Sequence, residues 1–200
     1  QARDDAKAVE AELANGNYKG PMHGIPYGLK DIIDYAGLKT TAHSKLLEDN
    51  VADTDATTTA KLKAAGGIFV GKLATHEFAI GGPSFDLPWP PARNPWNTNR
   101  HPGGSSSGSG AAVAAGLLPG ALGSDTGGSV RHPASMCNLA GIKPTYGRVS
   151  RAGVVPLSFS LDNVGPLTRT VEDNAIMLTA ISGHDPRDPA SARAEATDFT

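Results

Sequence analysis

The sequence has little of what several classes of protein require. Cys137 is the one cysteine in 200 residues, so an internal disulfide and a thiolate metal site are both excluded. No apolar run approaches the roughly 18 residues that a membrane helix needs. Lysine and arginine (18) are outnumbered by aspartate and glutamate (20), so no net positive charge attracts a nucleic acid. We expect a globular chain with neither a membrane nor a nucleic acid as its direct partner. A single cysteine suits a reducing compartment, and we predict a cytoplasmic location.

Glycine and proline, by contrast, are abundant. The 24 glycines and 15 prolines make up about a fifth of the chain, against an average near 12%. The chain opens on Gln1 and stops at Thr200 in a polar stretch. We therefore expect residues 1–200 to be a single partial domain that lacks its N-terminal start and its C-terminal part.

Helical and strand patterns alternate along the chain. Ala2–Ala14 is rich in alanine, glutamate and lysine and predicts a helix that stops at Asn15-Gly16. The apolar run His23–Leu29 predicts a strand that carries Lys30 inwards. Further predictions are a helix over Ala56–Ala65 capped within Asp53-Thr-Asp55, a strand at Ile68–Gly71, and a helix over Ala175–Ile181 capped by Thr170-Val-Glu-Asp173. This alternation predicts an α/β fold.

The glycine-rich run Gly103–Gly110 opens a helix and invites a phosphate-loop interpretation. Ser109 and Gly110, however, stand where such a loop needs a lysine and a hydroxyl residue. A dinucleotide loop fails as well, because Val113 stands at the position of its third small residue. Phosphate binding is therefore disfavoured.

The pattern Gly104-Ser-Ser106-Ser-Gly108 matches the nucleophile elbow of an α/β-hydrolase. Ser106 would then be the nucleophile, and Asp162 and His184 follow in the required order. The apolar strand that should precede an elbow is absent, since residues 97–102 are polar and contain proline. The six histidines lack ligand spacing, so we predict no metal and interpret them as ordinary surface or loop residues.

The second glycine pair, Gly127-Gly128, is the more informative. Ser129 follows directly, and two residues without Cβ allow consecutive N–H groups to converge on one point. Such N–H groups beside a hydroxyl would form an oxyanion hole beside a nucleophile. A serine needs a base at neutral pH, and Lys30 is the candidate because burial favours the neutral amine of a lysine.

Several segments resemble the amidase signature family of amide hydrolases. They are Gly28-Leu-Lys-Asp31, Pro102-Gly-Gly-Ser-Ser-Ser-Gly-Ser-Gly110, Gly123-Ser-Asp-Thr-Gly-Gly-Ser-Val-Arg131, Gly141-Ile-Lys-Pro-Thr-Tyr-Gly147 and Ser160-Leu-Asp-Asn-Val-Gly-Pro166. Their order also agrees, so the resemblance extends over nearly the whole chain. It implies a mixed β-sheet core flanked by helices and a chain that is one part of a longer domain.

The resemblance also implies the roles of individual residues. Family members use a Ser-cis-Ser-Lys triad, which here would comprise Lys30 as base, Ser105 as a proton relay after a cis peptide bond, and Ser129 as nucleophile. The oxyanion hole would consist of the backbone N–H groups of Thr126, Gly127, Gly128 and Ser129. The supporting residues would be Gly104, Ser106, Asp125 and Arg131. No cofactor is implied.

The substrate is less specified than the chemistry. Two kinds of amidase are possible. One is a stand-alone enzyme that acts on a small or medium carboxamide, for which a homodimer is left open. The other is the glutamine-hydrolysing A subunit of the tRNA-dependent amidotransferase. That subunit usually carries a Glu-Asn-Ser element where this chain reads Phe85-Asp-Leu87, so we favour the stand-alone enzyme. The loop Gly81–Pro102 is rich in proline and aromatic residues, and we predict that Phe85 and Trp89 line the acyl pocket.

Overall fold

The computed structural model describes residues 1–194 and 197–200, and it consists of one sheet flanked by helices. The helices are α1 (Ala2–Ala14), α2 (Thr57–Ala64), α3 (Ser107–Ala114), α4 (Arg131–Cys137) and α5 (Val171–Ile181). The strands are β1 (Pro26–Lys30), β2 (Ile68–Leu73), β3 (Gly120–Asp125), β4 (Ala140–Gly141) and β5 (Asn163–Thr168). Within the described residues, no helix combines the length and the apolar character that crossing a membrane requires.

The sheet is mixed, with the strand order β2-β1-β3-β5-β4. β1 runs parallel to both β2 and β3, whereas β5 runs antiparallel to β3 and to β4. Because β1, β2 and β3 point the same way, their carboxyl ends meet at one edge of the sheet. Lys30, Leu73 and Asp125 end these strands. The predicted α/β class with a mixed sheet is confirmed.

Local patterns predicted several element boundaries. α1 has the predicted bounds, and β1 ends on Lys30 as expected. Thr170 caps α5, with its hydroxyl accepting the N–H of Asp173 at 3.0 Å. The predicted cap of α2 is wrong. Its N-cap is Ala56, whose methyl group cannot accept a hydrogen bond, and the Asp55 carboxylate accepts the N–H of Ala36 at 2.8 Å instead of capping the helix.

The core lies on both faces of β1. Tyr27 and Leu29 are fully buried on one face of the strand, and Lys30, which as the next residue points to the opposite face, is buried as well, so both faces are covered. Leu62 of α2 and Ile181 of α5 are equally buried and belong to the same apolar cluster. Lys30 ends this strand at 0% exposure. The fold thus places one cation inside an apolar core.

β3 is a strand that the sequence did not predict. Its residues are Gly-Ala-Leu-Gly-Ser-Asp, which include few good strand formers. Close packing explains Gly123, because a Cβ there would lie 2.6 Å from the Ser106 hydroxyl at the start of α3. Tertiary packing therefore outweighs the low strand propensity.

Candidate active site

Lys30 is the buried last residue of β1, and its amine hydrogen-bonds to two hydroxyl groups. Its Nζ lies 2.7 Å from Oγ of Ser105 and 2.8 Å from Oγ of Ser124. Burial lowers the pKa of Lys30 to about 7, and the more distant charges of Asp125 and Asp162 oppose this only in part. The neutral amine is then well populated near neutral pH, as a general base requires.

Ser105 is held at the turn that precedes α3. The peptide bond between Gly104 and Ser105 is cis, as the family resemblance implied. A Cβ at Gly104 would lie 2.2 Å from the ring of His76, so glycine is the residue that fits. On the other side, Nδ1 of His132 lies 3.2 Å from the carbonyl oxygen of Gly104. Two imidazole rings thus enclose the residue that precedes Ser105.

The loop from Thr126 to Ser129 follows β3 and is fixed at both ends by Asp125. This buried carboxylate accepts the N–H groups of Val130 and Arg131, each at 3.2 Å. It also accepts the Arg131 guanidinium in two bonds of 2.9 and 3.0 Å. Burial raises the pKa of Asp125, but these hydrogen bonds outweigh it, and the net pKa lies below the usual value. The arrangement matches the supporting role predicted for Asp125 and Arg131.

Backbone donors are available along this loop. Gly128 has φ +143°, a backbone conformation that residues with a Cβ rarely adopt. The space beside Gly127 is open, since a Cβ there would meet nothing within 4 Å. Across the described residues, the N–H groups of Thr126, Gly127, Gly128 and Ser129 have no protein acceptor. They can therefore receive a developing negative charge, as the oxyanion hole predicted for these four residues requires.

Ser105 and Ser129 line one depression of about 420 Å³, together with Thr126 and Gly127. Lys30 reaches this depression from below through its bond to Ser105. In the part of the chain that the structure describes, the Ser105 and Ser129 hydroxyls do not hydrogen-bond to one another. The structure thus unites the predicted lysine and two serines in one site, with the Lys30 to Ser105 contact formed.

Ser106 does not fit the alternative role of nucleophile. Its side chain is fully buried, and its hydroxyl both donates to the carbonyl and accepts the N–H of Ser124, each at 3.2 Å. His184 is exposed, and Asp162 bonds instead to the Thr126 hydroxyl at 2.5 Å. Ser106 therefore joins α3 to β3, which agrees with the supporting role predicted for it.

Comparison with known proteins decides the family. A model of the Amidase family matches residues 1–200. The chain belongs to the amidase family. Its curated relatives in that family include the A subunit of the glutamyl-tRNA(Gln) amidotransferase of Geobacillus kaustophilus, at 54% identity over 192 residues, or 96% of this chain and 40% of the relative.

Solved structures in the amidase family have the same fold. One of them is described as a vestigial protein complex that reveals the evolutionary origins of an s-triazine catabolic enzyme. It has a TM-score of 0.94 and 43% identity, and the match covers 98% of this chain and 43% of that one. The native peptide amidase of Stenotrophomonas maltophilia has a TM-score of 0.88 and 38% identity, with 100% and 42% covered. The chain thus spans about two fifths of the length of these relatives.

Phe85 and Trp89 lie apart from the depression of this amidase-family site. Trp89 stacks on His43, with ring centroids 5.4 Å apart, and lines a neighbouring depression with Asp31 and Lys72. Phe85 is 70% exposed, and its ring lies 5.7 Å from the Arg93 guanidinium. Neither residue lines the depression that holds Ser129. Their contact with an acyl group stays a prediction.

Ser124 is a site residue that sequence reasoning missed. It lies within a motif that carries the amidase-family resemblance, yet nothing local links it to Lys30. The link is the parallel pairing of β1 with β3, in which Leu29 lies opposite Leu122. That pairing brings Lys30 to Ser124, although the two residues are 94 positions apart in the chain. Alternation along a predicted β3 would have been the one available clue.

Three of the histidines interpreted as surface or loop residues lie in loops but are buried. His23, His43 and His76 are each at most 8% exposed. His76 also lines the depression of the amidase-family site, together with His101 and His132. Burial is the main reason that the pKa of His76 is lowered. Among the described residues, no group of three or more histidine, cysteine or acidic side chains could hold a metal.

Proposed function

We propose that this chain contributes the catalytic residues of an amidohydrolase that splits a carboxamide into a carboxylate and ammonia or an amine. One observation carries the proposal. Among the described residues, the buried amine of Lys30 has hydroxyl partners and no contacting counterion, and it bonds Ser105 at the base of the depression that holds Ser129. A desolvated lysine beside a hydroxyl, with a second serine and unpaired N–H groups nearby, suits acyl transfer.

The first half of the reaction forms an acyl-enzyme. The Ser129 oxygen bonds to the amide carbon while its proton passes to Ser105, whose own proton passes to Lys30. The N–H groups of the loop from Thr126 to Ser129 hold the oxyanion. The C–N bond then breaks as the proton returns from Lys30 through Ser105 to the leaving nitrogen.

In the second half, water attacks the ester of Ser129 and loses its proton to Lys30 through Ser105. The C–O bond to Ser129 breaks, its oxygen recovers a proton by the same route, and the carboxylic acid leaves and ionises in solution. Every step uses the same three side chains, so no redox partner or cofactor enters the proposed cycle.

A substitution of the nucleophile tests this function. We expect Ser129→Ala in the full-length protein to abolish amide turnover and labelling by a fluorophosphonate probe, because the buried Ser105 hydroxyl in the same depression is held by Lys30 as the proposed proton relay. Ser135→Ala is the matched control, since Ser135 is exposed on α4. Retained labelling in Ser129→Ala would refute the assignment.

A second candidate is the glutamine-hydrolysing A subunit of the tRNA-dependent amidotransferase. Identities of 50–54% to curated proteins of that name favour it. Ammonia release distinguishes the stand-alone amidohydrolase from this subunit. It is measured with the full-length protein on glutamine and on neutral amides, with and without candidate partner subunits. Glutamine turnover that needs those subunits would select the second candidate. A homodimer and a cytoplasmic location stay predictions.

A further inference from the structure

A second cavity adjoins the depression that holds Ser129. Its volume is about 210 Å³, and it shares the wall residues Ala79 and Leu157 with that depression. Ser124, which receives the Lys30 amine, also lines it. The cavity therefore lies directly beside the depression and the side chains of the proposed reaction.

Asp162 connects the wall of this cavity to the oxyanion loop. One of its oxygens accepts the Thr126 hydroxyl at 2.5 Å. The other accepts the N–H groups of Leu157 and Ser158 at 2.8 and 2.9 Å. The position of the wall is therefore fixed relative to the N–H groups that would hold the carbonyl oxygen.

The cavity is apolar, and its charges are already paired. Much of the wall is one segment, Val154–Leu157, and Ile32 and Val164 are among the other apolar residues that line the cavity. Arg151 contacts Asp188 at 3.3 Å, Arg187 lies 3.6 Å from Asp185, and Asp162 accepts the three donors above. A charged ligand group would lose its hydration here without gaining an unpaired partner, which is costly.

Size limits the ligand further. An apolar cavity of roughly 150 Å³ can hold a benzene ring. A volume of about 210 Å³ thus suits one ring with a short linker, or a branched aliphatic group.

We propose that this cavity binds the acyl group of the amide and selects compact, uncharged, apolar acyl groups such as phenylacetyl or isobutyryl. The assignment rests on the proposed function, since it places the scissile carbonyl between Ser129 and the cavity. Glutamine, which carries an ammonium and a carboxylate on its acyl side, is a poor match for these walls. The leaving nitrogen then lies toward His76, His101 and His132.

The experiment compares kcat/KM for phenylacetamide, isobutyramide, acetamide and glutamine with the full-length protein. These primary amides share one leaving group, so differences report on the acyl side. We expect phenylacetamide to exceed glutamine by at least about 100-fold. Ala152→Phe, which fills the cavity, should lower the phenylacetamide-to-acetamide ratio at least tenfold, and Leu157→Ala should change it at least about threefold.

Leu117→Ala is the matched control, because Leu117 is 74% exposed in the turn before β3 and should leave the ratio unchanged. The proposal is overturned if both cavity variants keep the parent ratio, if glutamine is the best substrate, or if the ratio changes only in Trp89→Ala. If no amide is hydrolysed, binding of phenylacetamide to the Ser129→Ala protein is measured by ligand-detected NMR. Binding that is lost when Ala152→Phe is added would support the cavity as a binding site although the proposed function fails. If phenylacetamide does not bind, the cavity proposal is refuted.

Discussion

Two ionisable groups are buried in this domain to a similar extent, and their surroundings differ in kind. Lys30 is 0% exposed, and its amine contacts two hydroxyl groups. Asp185 is 5% exposed, and it accepts the hydroxyls of Ser150 and Thr57 and the N–H of Arg187. Within the residues that the structure describes, the Lys30 amine therefore has no oppositely charged group in contact, whereas the Asp185 carboxylate is surrounded by hydrogen-bond donors.

The two pKa values move accordingly. Burial lowers the pKa of Lys30 to about 7, which favours its neutral form. Burial also disfavours the charge of Asp185, but the hydrogen bonds from Ser150 and Thr57 outweigh it and lower the pKa to about 2. Asp185 thus keeps its charge and joins three segments of the chain, while Lys30 is readily neutralised, as the proposed role of base requires.

The comparison predicts opposite consequences when each group is neutralised, and the largest effect belongs to Lys30. Lys30→Met should lower kcat/KM by about 10³- to 10⁴-fold, because the base is lost. The urea midpoint should stay the same or rise, since an apolar side chain of similar length removes a buried amine. Steady-state kinetics and urea unfolding of the full-length protein measure both.

Lys72→Met is the control for Lys30→Met, because Lys72 is also largely buried but contacts the carboxylate of Asp31 at 3.1 Å. It should lower the free energy of unfolding by about 3 kcal/mol, since it leaves a buried carboxylate unpaired. If Lys30→Met destabilises the protein as much as Lys72→Met and retains activity, Lys30 is structural and the comparison fails.

The pH dependence of activity is the next largest effect. Since the reaction needs neutral Lys30, kcat/KM should rise about tenfold per pH unit well below pH 7 and level off above it. The sign follows from the lowered pKa, because the unreactive ammonium form dominates only at pH values below about 7. A rate profile from pH 5 to 9 with a neutral amide checks this. A profile that stays flat down to pH 5 would contradict the role of Lys30.

The sequence predicted the parts of this comparison that depend on local order. Lys30 at the end of a strand and Ser129 after a glycine pair are local patterns, and the family resemblance supplied Ser105. The contact of Lys30 with Ser124 depends on pairing between β1 and β3, which no neighbouring residue encodes.

The bonds of Asp185 show the same limit more strongly. They reach Thr57 and Ser150, which lie 128 and 35 positions away. Nothing near Asp185 in the sequence signals a buried carboxylate, whereas the cap of α5 at Thr170 was predictable because its partner is three residues away. Sequence reasoning thus predicted the residues that the proposed reaction uses and missed the partners that hold or neutralise Lys30 and Asp185.

Asp185 gives the smallest effect, and it should fall on stability. Asp185→Asn should lower the free energy of unfolding by about 2 kcal/mol at pH 7, because the Ser150 and Thr57 hydroxyls lose a charged acceptor. We expect kcat/KM per folded molecule to fall less than about threefold, since Asp185 lines neither the depression nor the adjoining cavity. Urea unfolding and active-site titration separate the two quantities.

The pH dependence of that stability difference sharpens the comparison. A carboxyl whose folded pKa is lowered contributes stability above its unfolded pKa near 4, and the contribution disappears as pH falls toward the folded pKa of about 2. The gap between the parent and Asp185→Asn should therefore shrink between pH 5 and pH 2. Asp86→Asn is the control, because Asp86 is exposed and solvent screens its charge. If the difference in the free energy of unfolding stays constant over this range, the shape of the Asp185 side chain, and not its charge, determines its contribution to stability. The contrast between the two buried groups would then rest on Lys30 alone.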